Sequence, residues 1–414
     1  MSSPLRRALA SRPFRRLLLA RTLSRWGDIF RSVALVVLVF RLTGSGLDVG
    51  VVTIVQIVPL ILFGFVAGAV VDRLPRARVM VASDVGRGLL ALALVAVHDR
   101  LWAVYVIAFG LAALSTFFSP AAVSLVPALV EREEDLVGAN AVLTSSAVLS
   151  QIVLAPVAGA MVAIAGPGPA FAFNAVTFFL SAALLARLRA PRPPQRVAAR
   201  SYRQDVAEGL ALIRSSPLLR SLAEVQALAA LSAGATSALL VVLAERHLGA
   251  GPERYGMLLT AIAVGQGVGP LVLQRLFTDV RRPVLLFGPF VVRGAVDVVL
   301  ALSASFGLAL GALAVYGLMT NTGGVTFNTL LQQAVPDEAR GRAFAFFDVV
   351  WQVGRLASVG LGAVLVEGLG VRGVYLLGGG LLLCAGGLGF ALVPATRMRP
   401  PDVPGGLAPG PAGA

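Results

Sequence analysis

Apolar runs of about twenty residues alternate with short polar breaks along almost the whole chain. A run of that length crosses the ~30 Å hydrocarbon core of a bilayer as an α-helix. Twelve runs are predicted as transmembrane helices, at roughly 17–40, 48–71, 79–97, 101–123, 138–165, one ending near 188, 218–243, 255–277, 284–303, 306–334, 343–366 and 373–393. The pattern therefore predicts an all-α membrane protein with twelve transmembrane helices.

Composition excludes several other classes of protein. Hydrophobic residues make up 57% of the 414 residues and charged residues only 14%, whereas soluble domains average about 25% charged. The net charge of +14 comes from arginines in the polar breaks, so we expect no nucleic-acid partner. The sequence contains no lysine, which excludes a Gly-x-x-x-x-Gly-Lys phosphate loop and hence an ATP-driven pump within this chain.

Few residues are suited to metal binding or covalent chemistry. Cys384 is the single cysteine, and His98 and His247 fall at predicted loop ends without partners at ligand spacing. A membrane-embedded enzyme would need a nucleophile–base pair or metal ligands within the spans. We therefore predict no cofactor, no metal and no enzymatic activity.

The polar breaks also predict domains and orientation. Most of the 35 arginines lie in the termini and in the breaks after even-numbered spans, and short cytoplasmic loops collect arginine. Both termini are therefore expected in the cytoplasm, with the protein in a bacterial inner membrane. The predicted units are a six-helix bundle at 1–190, an Arg-rich linker at 191–216, a second bundle at 217–398 and a disordered tail at 399–414.

The two sets of six spans share an internal repeat. Four pairs are separated by 201 positions: Gly64 and Gly265, Gly68 and Gly269, Gln151 and Gln352, Gly159 and Gly360. They fall in two pairs of equivalent spans, so the halves are predicted to be related by duplication.

Several motifs resemble a known family. The loop between spans two and three, from Gly68 through Asp72, Arg73 and Arg76 to Arg78, resembles the signature loop of the major facilitator superfamily. Three further segments are similar to its drug:proton antiporter branch, which includes macrolide-efflux and enterobactin-exporter proteins: Ser24-Arg-Trp-Gly27-Asp28, Leu136-Val-Gly-Ala-Asn140 and Leu331 to Arg342.

The resemblance implies two pseudo-symmetric six-helix bundles around a central cavity. Asp72 and the loop arginines would clasp the cytoplasmic gate, and Pro156 and Gly159 would belong to an antiporter motif in span five. The implied function is proton-coupled export of a hydrophobic or amphipathic small molecule, such as a drug, antibiotic or siderophore-like metabolite, by a protein expected to be a monomer. The alternatives are a lysophospholipid flippase of the same fold and a non-transporting membrane sensor.

Charged residues inside the spans need a partner or a function, since each costs on the order of 3 kcal/mol. Asp28 lies near the middle of span one, with Arg25 and Arg31 three residues to either side on one helix face. Asp28 is the first-choice proton carrier, and the alternative is a static ion pair. Glu224 is the second choice, and the alternative is a carboxylate that snorkels to the interface or pairs at the gate. Arg355 is placed to meet Asp28 or an anionic substrate.

Other charged residues are predicted to have structural or gating roles. The pairs Asp84/Arg87 in span three and Arg293/Asp297 in span nine are predicted to be structural, because the resemblance makes those spans peripheral. Asp348 is predicted to belong to the inner gate.

Polar stripes occur on spans four, seven and ten, which line the cavity in the superfamily. The residues predicted to line it are Ser115, Ser119, Ser232, Thr236, Asn321, Asn328 and Gln332. The alternative is that these stripes join neighbouring helices.

Overall fold

The structure is a computed structural model that describes residues 4–130, 132, 134–188, 210, 213–214, 216–276, 282–335 and 337–393. Within these ranges the regular secondary structure is helical and contains no strand. The predicted tail and most of the predicted linker lie outside the described residues, so the domain boundaries near 190 and 398 remain predictions.

The described part of the first half begins with a short helix and continues with six long ones. Its helices are α1 (Pro4–Ala10), α2 (Arg12–Thr43), α3 (Gly46–Arg73), α4 (Arg76–Val97), α5 (Leu101–Leu125), α6 (Asp135–Ala165) and α7 (Pro167–Ala186), with a 3₁₀ turn at Val126–Leu129. The described part of the second half contains α8 (Pro217–Ala238), α9 (Leu240–Arg246), α10 (Pro252–Leu276), α11 (Pro283–Leu302), α12 (Phe306–Ala334) and α13 (Asp337–Leu392).

Eight of the described helices are long and apolar enough to cross a membrane, or nine if α8 and α9 form one bent span. One of them, α13, contains two spans, because Gly370 interrupts it with φ 69° and ψ 169°. Together with α2 and α10 they make up the twelve helices of the predicted fold. The seventh span, predicted at 218–243, consists of two helices, because the chain bends by 47° between α8 and α9, at Leu239.

Serine caps and left-handed glycines set the turns between spans. The Ser45 hydroxyl accepts hydrogen bonds from the backbone N–H groups of Leu47 and Asp48 at 3.1 and 3.3 Å, which starts α3. Gly44 ends α2 with φ 63°, a conformation that a side chain disfavours. The positive-φ residues of the described chain are Gly44, Gly166, Gly249 and Gly370, after spans one, five, seven and eleven. These turns therefore recur in equivalent places of the two halves, at what we call the glycine-turn end.

Equivalent helices of the two bundles make equivalent packing contacts. In the first bundle α2 packs on α6 and α7, and in the second α8 packs on α13. Between the bundles, α3 packs on the first part of α13 and α6 packs on α10. Because spans two and eight pair with spans eleven and five, the packing repeats the pseudo-symmetry predicted from the 201-residue offset.

The hydrogen bonds that join the bundles lie toward the glycine-turn end. Ser45 donates to the Glu367 carboxylate at 3.1 Å, Arg246 donates to the Gly44 carbonyl, and Thr260 donates to the Ile152 carbonyl at 3.1 Å. Glycines bring the backbones together there as well, since Gly256 lies against the backbone of Ala155 and Pro156. The bundles are therefore in close contact over one half of the helix length.

Glycine packing differs between the two equivalent gating helices. Gly265 of α10 lies directly against the Ala314 carbonyl of α12, and Gly269 lies against Leu318. The equivalent Gly64 and Gly68 of α3 have no neighbouring atom within 4 Å of an added Cβ. The repeat predicted from sequence is therefore used for close packing only in the second bundle in this conformation.

Replacing Gly265 by alanine is expected to destabilise the second bundle by about 1–3 kcal/mol, because the new methyl group has no room against the Ala314 carbonyl. Thermal unfolding of purified protein in detergent measures the effect. Gly311→Ala is the matched control on α12, where nothing lies within 4 Å, and it should be neutral or stabilising. Equal melting temperatures for the two variants would contradict the close approach.

Candidate functional site

Asp28 is at the centre of an ion-pair array inside the first bundle. Its Oδ1 lies 3.4 Å from Arg31 Nη2, and its Oδ2 lies 3.6 Å from Arg87 Nη1. A quarter of the Asp28 side chain is exposed, whereas the Arg87 side chain is only 2% exposed. The carboxylate therefore has two cationic partners, one from its own helix and one from α4, and remains open to the cavity.

Arg87 is fixed from several directions. It pairs with Asp84 one turn earlier on α4 and donates to the Ser24 hydroxyl at 3.3 Å. Its guanidinium lies between the rings of Phe118 and Phe178, with 4.4 Å to each ring centroid. Such an aromatic sandwich favours a cation that has been removed from water.

Asp84 completes the array from the buried side. Its carboxylate is fully buried and accepts a hydrogen bond from the Ser181 hydroxyl of α7 at 2.6 Å. Asp84 and Arg87 are predicted from sequence to be a peripheral structural pair, but Arg87 also lies against Asp28 and on the cavity wall. Opposite charges at three-residue spacing in an apolar helix identified the pair, whereas its link to Asp28 depends on helix packing.

A polar cavity of about 350 Å³ opens beside this array. Serines and threonines form much of its wall. Ser115 and Ser119 of α5, which are predicted from sequence to line a cavity, are among them. Thr22 and Ser146 join α2 to α6 with a hydroxyl contact of 2.8 Å. The other lining residues are Arg21, Ser24, Arg25, Asp28, Arg87, Phe118, Leu143 and Ala147.

Arg25 does not pair with Asp28, although both lie on one face of α2. Its Nη2 instead contacts the Gln151 side-chain oxygen of α6 at 3.4 Å. Arg31, on the other side of Asp28, also donates to the Gln56 side-chain oxygen of α3 at 3.0 Å. The two flanking arginines therefore have different surroundings: Arg31 neutralises Asp28, whereas Arg25 meets only an amide.

The second bundle contains a cavity of different chemistry. Its volume is about 410 Å³, and five aromatic side chains line it: Phe290, Phe327, Phe344, Phe347 and Trp351. Polar side chains line it as well: Gln226, Arg293, Thr320, Asn328 and Asp348. Asp348 was predicted at the inner gate, and the aromatic residues, which come from α11, α12 and α13, were not predicted from sequence.

The remaining polar-stripe residues lie in several places. Ser232 and Thr236, predicted to line the cavity, are instead 1% and 3% exposed within the second bundle. There the Thr236 carbonyl accepts a hydrogen bond from the Tyr375 hydroxyl at 2.6 Å. Asn321 donates to the Gln266 carbonyl of α10 at 2.6 Å, and Gln332 is exposed near the end of α12. Several of these polar groups therefore join helices.

The other predicted charged positions have fewer contacts. Glu224 is exposed on α8, and Arg355 is partly buried on α13. Neither makes an ion pair with any residue in the described ranges, and Arg355 does not meet Asp28. In α11, Arg293 donates to the Tyr316 hydroxyl at 2.7 Å, and no ion pair with Asp297 forms despite their four-residue spacing.

The predicted gate loop is open in this conformation. Asp72, Arg73 and Arg78 are exposed, and Asp72 makes no hydrogen bond or ion pair to the described part of the chain. Arg76 donates to the Ser124 carbonyl at 2.7 Å, within the same bundle. In the predicted antiporter motif, Pro156 and Gly159 pack against α10 at the bundle interface.

Twelve membrane helices in two pseudo-symmetric bundles, enclosing separate polar and aromatic cavities, define a membrane transporter of the major facilitator fold. The chain belongs to the transmembrane secretion effector family of that superfamily, whose model matches residues 2–402. The family and fold predicted from the motifs are therefore confirmed, and the protein is a transporter rather than an enzyme.

Several relatives are similar to the chain over most of their length. The uncharacterised MFS-type transporter YfiS of Bacillus subtilis is 28% identical over 399 residues, covering 89% of this chain and 90% of its own. Macrolide efflux protein A of Streptococcus pyogenes is 23% identical, covering 83% and 86%. The enterobactin exporter EntS of Escherichia coli is 26% identical, covering 94% of each chain.

The fold is also found in solved structures at low sequence identity. The nucleoside transporter NupG superposes with a TM-score of 0.74 at 12% identity, covering 92% of this chain and 99% of its own. Identity at this level supports the fold alone.

Removing the Arg87 side chain should destabilise the first bundle strongly. Arg87→Met leaves the Asp84 carboxylate buried without its cation, and such losses cost about 3–5 kcal/mol. The double variant Arg87→Met/Asp84→Leu should recover most of that stability, because both charges are then absent. Thermal unfolding in detergent tests this, with Arg100→Met at an exposed loop position as control. A stable single variant would contradict the assignment.

Proposed function

We propose that this protein is a proton-coupled exporter of hydrophobic or amphipathic small molecules. The Asp28 array carries the proposal, since a carboxylate inside the membrane region faces a polar cavity between two arginines. Protonation of Asp28 removes the charge that holds Arg31 and Arg87 toward it. A proton therefore changes the relative free energies of conformations in which these side chains are placed differently.

The described conformation fits one end state of an alternating-access cycle. The bundles are in contact toward the glycine-turn end, whereas the gate loop at the opposite end is open. With both termini in the cytoplasm, as the distribution of arginine favours, this conformation faces inward. In the opposite state, Asp72 and the loop arginines clasp the cytoplasmic end. The proposed location is the bacterial inner membrane, where the protein acts as a monomer.

The proposed cargo follows from the cavities and from the relatives. The aromatic wall of the second bundle suits apolar or aromatic parts of a solute, whereas the hydroxyl groups of the first bundle suit polar parts. Two of the relatives are named for macrolide efflux and for enterobactin export, which supports an organic cargo for this chain. Antiport and a contribution to multidrug resistance belong to this proposal.

Asp28→Asn should abolish efflux driven by a pH gradient, because asparagine keeps the size of the side chain but does not take up a proton. The measurement is uptake of erythromycin and enterobactin into inverted vesicles after acidification of their interior. We expect at least a tenfold lower initial rate, since proton transfer sites contribute about 10²-fold or more.

Asp99→Asn, at an exposed loop position, is the matched control and should transport at the wild-type rate. Immunoblotting confirms equal amounts of each variant in the vesicles. Equal transport by Asp28→Asn and the wild type would remove Asp28 from the mechanism, and indifference of the wild type to the gradient would reject proton coupling.

Asp72→Ala should increase access to the cytoplasmic cavity. A clasp of ~1 kcal/mol changes the ratio of closed to open molecules by about fivefold. The readout is impermeant maleimide labelling of Ser119→Cys in inverted vesicles, in a Cys384→Ala background that lacks the native cysteine. Asp99→Ala serves as control. Equal labelling with and without Asp72 would reject the clasp.

A further inference from the structure

We propose that Arg21 and Arg25 bind the anionic group of the cargo, and that this cargo is an amphipathic organic anion carrying a carboxylate or phosphate group. The assignment of the bound anion as cargo rests on the proposed transport function. The binding site itself rests on the charges, hydroxyl groups and cavity of the first bundle.

Positive charge exceeds negative charge around the polar cavity. Helices α2 and α4 bring four guanidinium groups to this region, those of Arg21, Arg25, Arg31 and Arg87, but only two carboxylates, those of Asp28 and Asp84. Arg31 and Arg87 are the ones that pair with these carboxylates. Two positive charges are therefore left without a carboxylate in a membrane-embedded cavity.

Arg21 is the clearer of these two. It lines the cavity and is partly buried, yet it makes no hydrogen bond, ion pair or ring contact with the described ranges of the chain. Within the part of the chain that the structure describes, the one hydrogen-bond partner of Arg25 is the Gln151 side-chain amide, at 3.4 Å. Because a charged group inside a membrane protein needs a partner or a function, a ligand anion is the missing counter-charge. The two arginines lie four residues apart, on the same face of α2.

Hydroxyl groups around the arginines suit the same ligand. Ser115 and Ser119 line the cavity from α5, and neither side chain hydrogen-bonds to any residue that the structure describes. Their hydroxyl groups are therefore free to donate to carboxylate or phosphate oxygens. Guanidinium groups with nearby hydroxyl donors are a common arrangement for recognising such oxyanions.

A second pocket, with both apolar and amide side chains in its wall, begins at the same arginine. Its volume is about 230 Å³ and it lies between α6 and α10, where the second bundle contributes apolar residues (Leu259, Ile262 and Ala263) and Gln266. A ligand with its anion on Arg21 and Arg25 would place an apolar body there, in contact with both bundles. The ligand class is therefore amphipathic, and its binding depends on how the two bundles are placed.

Equilibrium binding to the purified full-length protein tests the proposal without any gradient. The probes are tritiated 1-naphthaleneacetate, its neutral amide and 1-naphthylethylamine, which share a ring system but differ in charge. We expect the anion to bind at least about tenfold more tightly than the amide or the amine. Arg21→Gln and Arg25→Gln should each weaken anion binding by about tenfold, whereas Arg41→Gln, at the exposed end of α2, should not.

Thermal unfolding separates ligand binding from a structural role. An arginine without a protein partner can be removed at little cost, so Arg21→Gln should keep or raise the wild-type melting temperature, whereas Arg87→Met should lower it. If a glutamine variant does not fold, the lysine variants replace it, with anion affinity expected between those of wild type and glutamine.

Competition with lysophosphatidylglycerol distinguishes a lipid headgroup from a soluble anion. Displacement of naphthaleneacetate, or arginine-dependent binding of the lipid alone, assigns the site to lipids. Binding of naphthaleneacetate without displacement assigns it to soluble anions. The proposal would be overturned if the amine or the amide bound as tightly as naphthaleneacetate or more tightly. It would also be overturned if both glutamine variants bound naphthaleneacetate as tightly as the wild type does, or if neither naphthaleneacetate nor lysophosphatidylglycerol bound. Anion binding without solute transport would instead reject the exporter function and leave the site intact.

Discussion

The pairing of Arg87 with two carboxylates on different helices is the interaction on which the first bundle depends. A guanidinium group in this position is tolerable only because Asp84, Asp28 and two aromatic rings surround it. The array joins α2, α4, α5 and α7 through one buried cation. Asp28 is the member of the array that is open to the cavity. Arg87, which stabilises the bundle, is therefore linked directly to the carboxylate that a proton can reach.

The two bundles have similar packing but different interiors. In the first, charged and hydroxyl side chains surround the cavity, whereas in the second, four phenylalanines and a tryptophan line it together with polar residues. Duplication explains the shared helix arrangement, because backbone contacts and turns require only small residues at the right places. The cavity chemistry is set by the side chains that project inward, and these differ between the halves. Because the two cavities differ in chemistry, together they suit a solute that has both polar and apolar parts.

Close contact between the bundles is confined to one part of their length. Glycines allow α6 and α10 to touch through their backbones near the glycine-turn end, and a side chain at Gly256 would prevent that approach. At the other end, Gly64 and Gly68 have open space around them and the gate loop is exposed. At the closed end glycines therefore bring the two bundles into backbone contact, whereas Gly265 and Gly269 pack within the second bundle.

Hydropathy and loop motifs determined the membrane class, the twelve spans and the family, because a bilayer requires long apolar helices and the loop between spans two and three has a distinctive pattern. Sequence also singled out Asp28 as a charge that needs a partner. Only the tertiary structure showed that Arg87 supplies that partner, that Arg25 turns to Gln151, and that Ser232 and Thr236 are buried. Helical spacing relates residues along one helix, whereas these contacts join different helices and depend on how the helices pack.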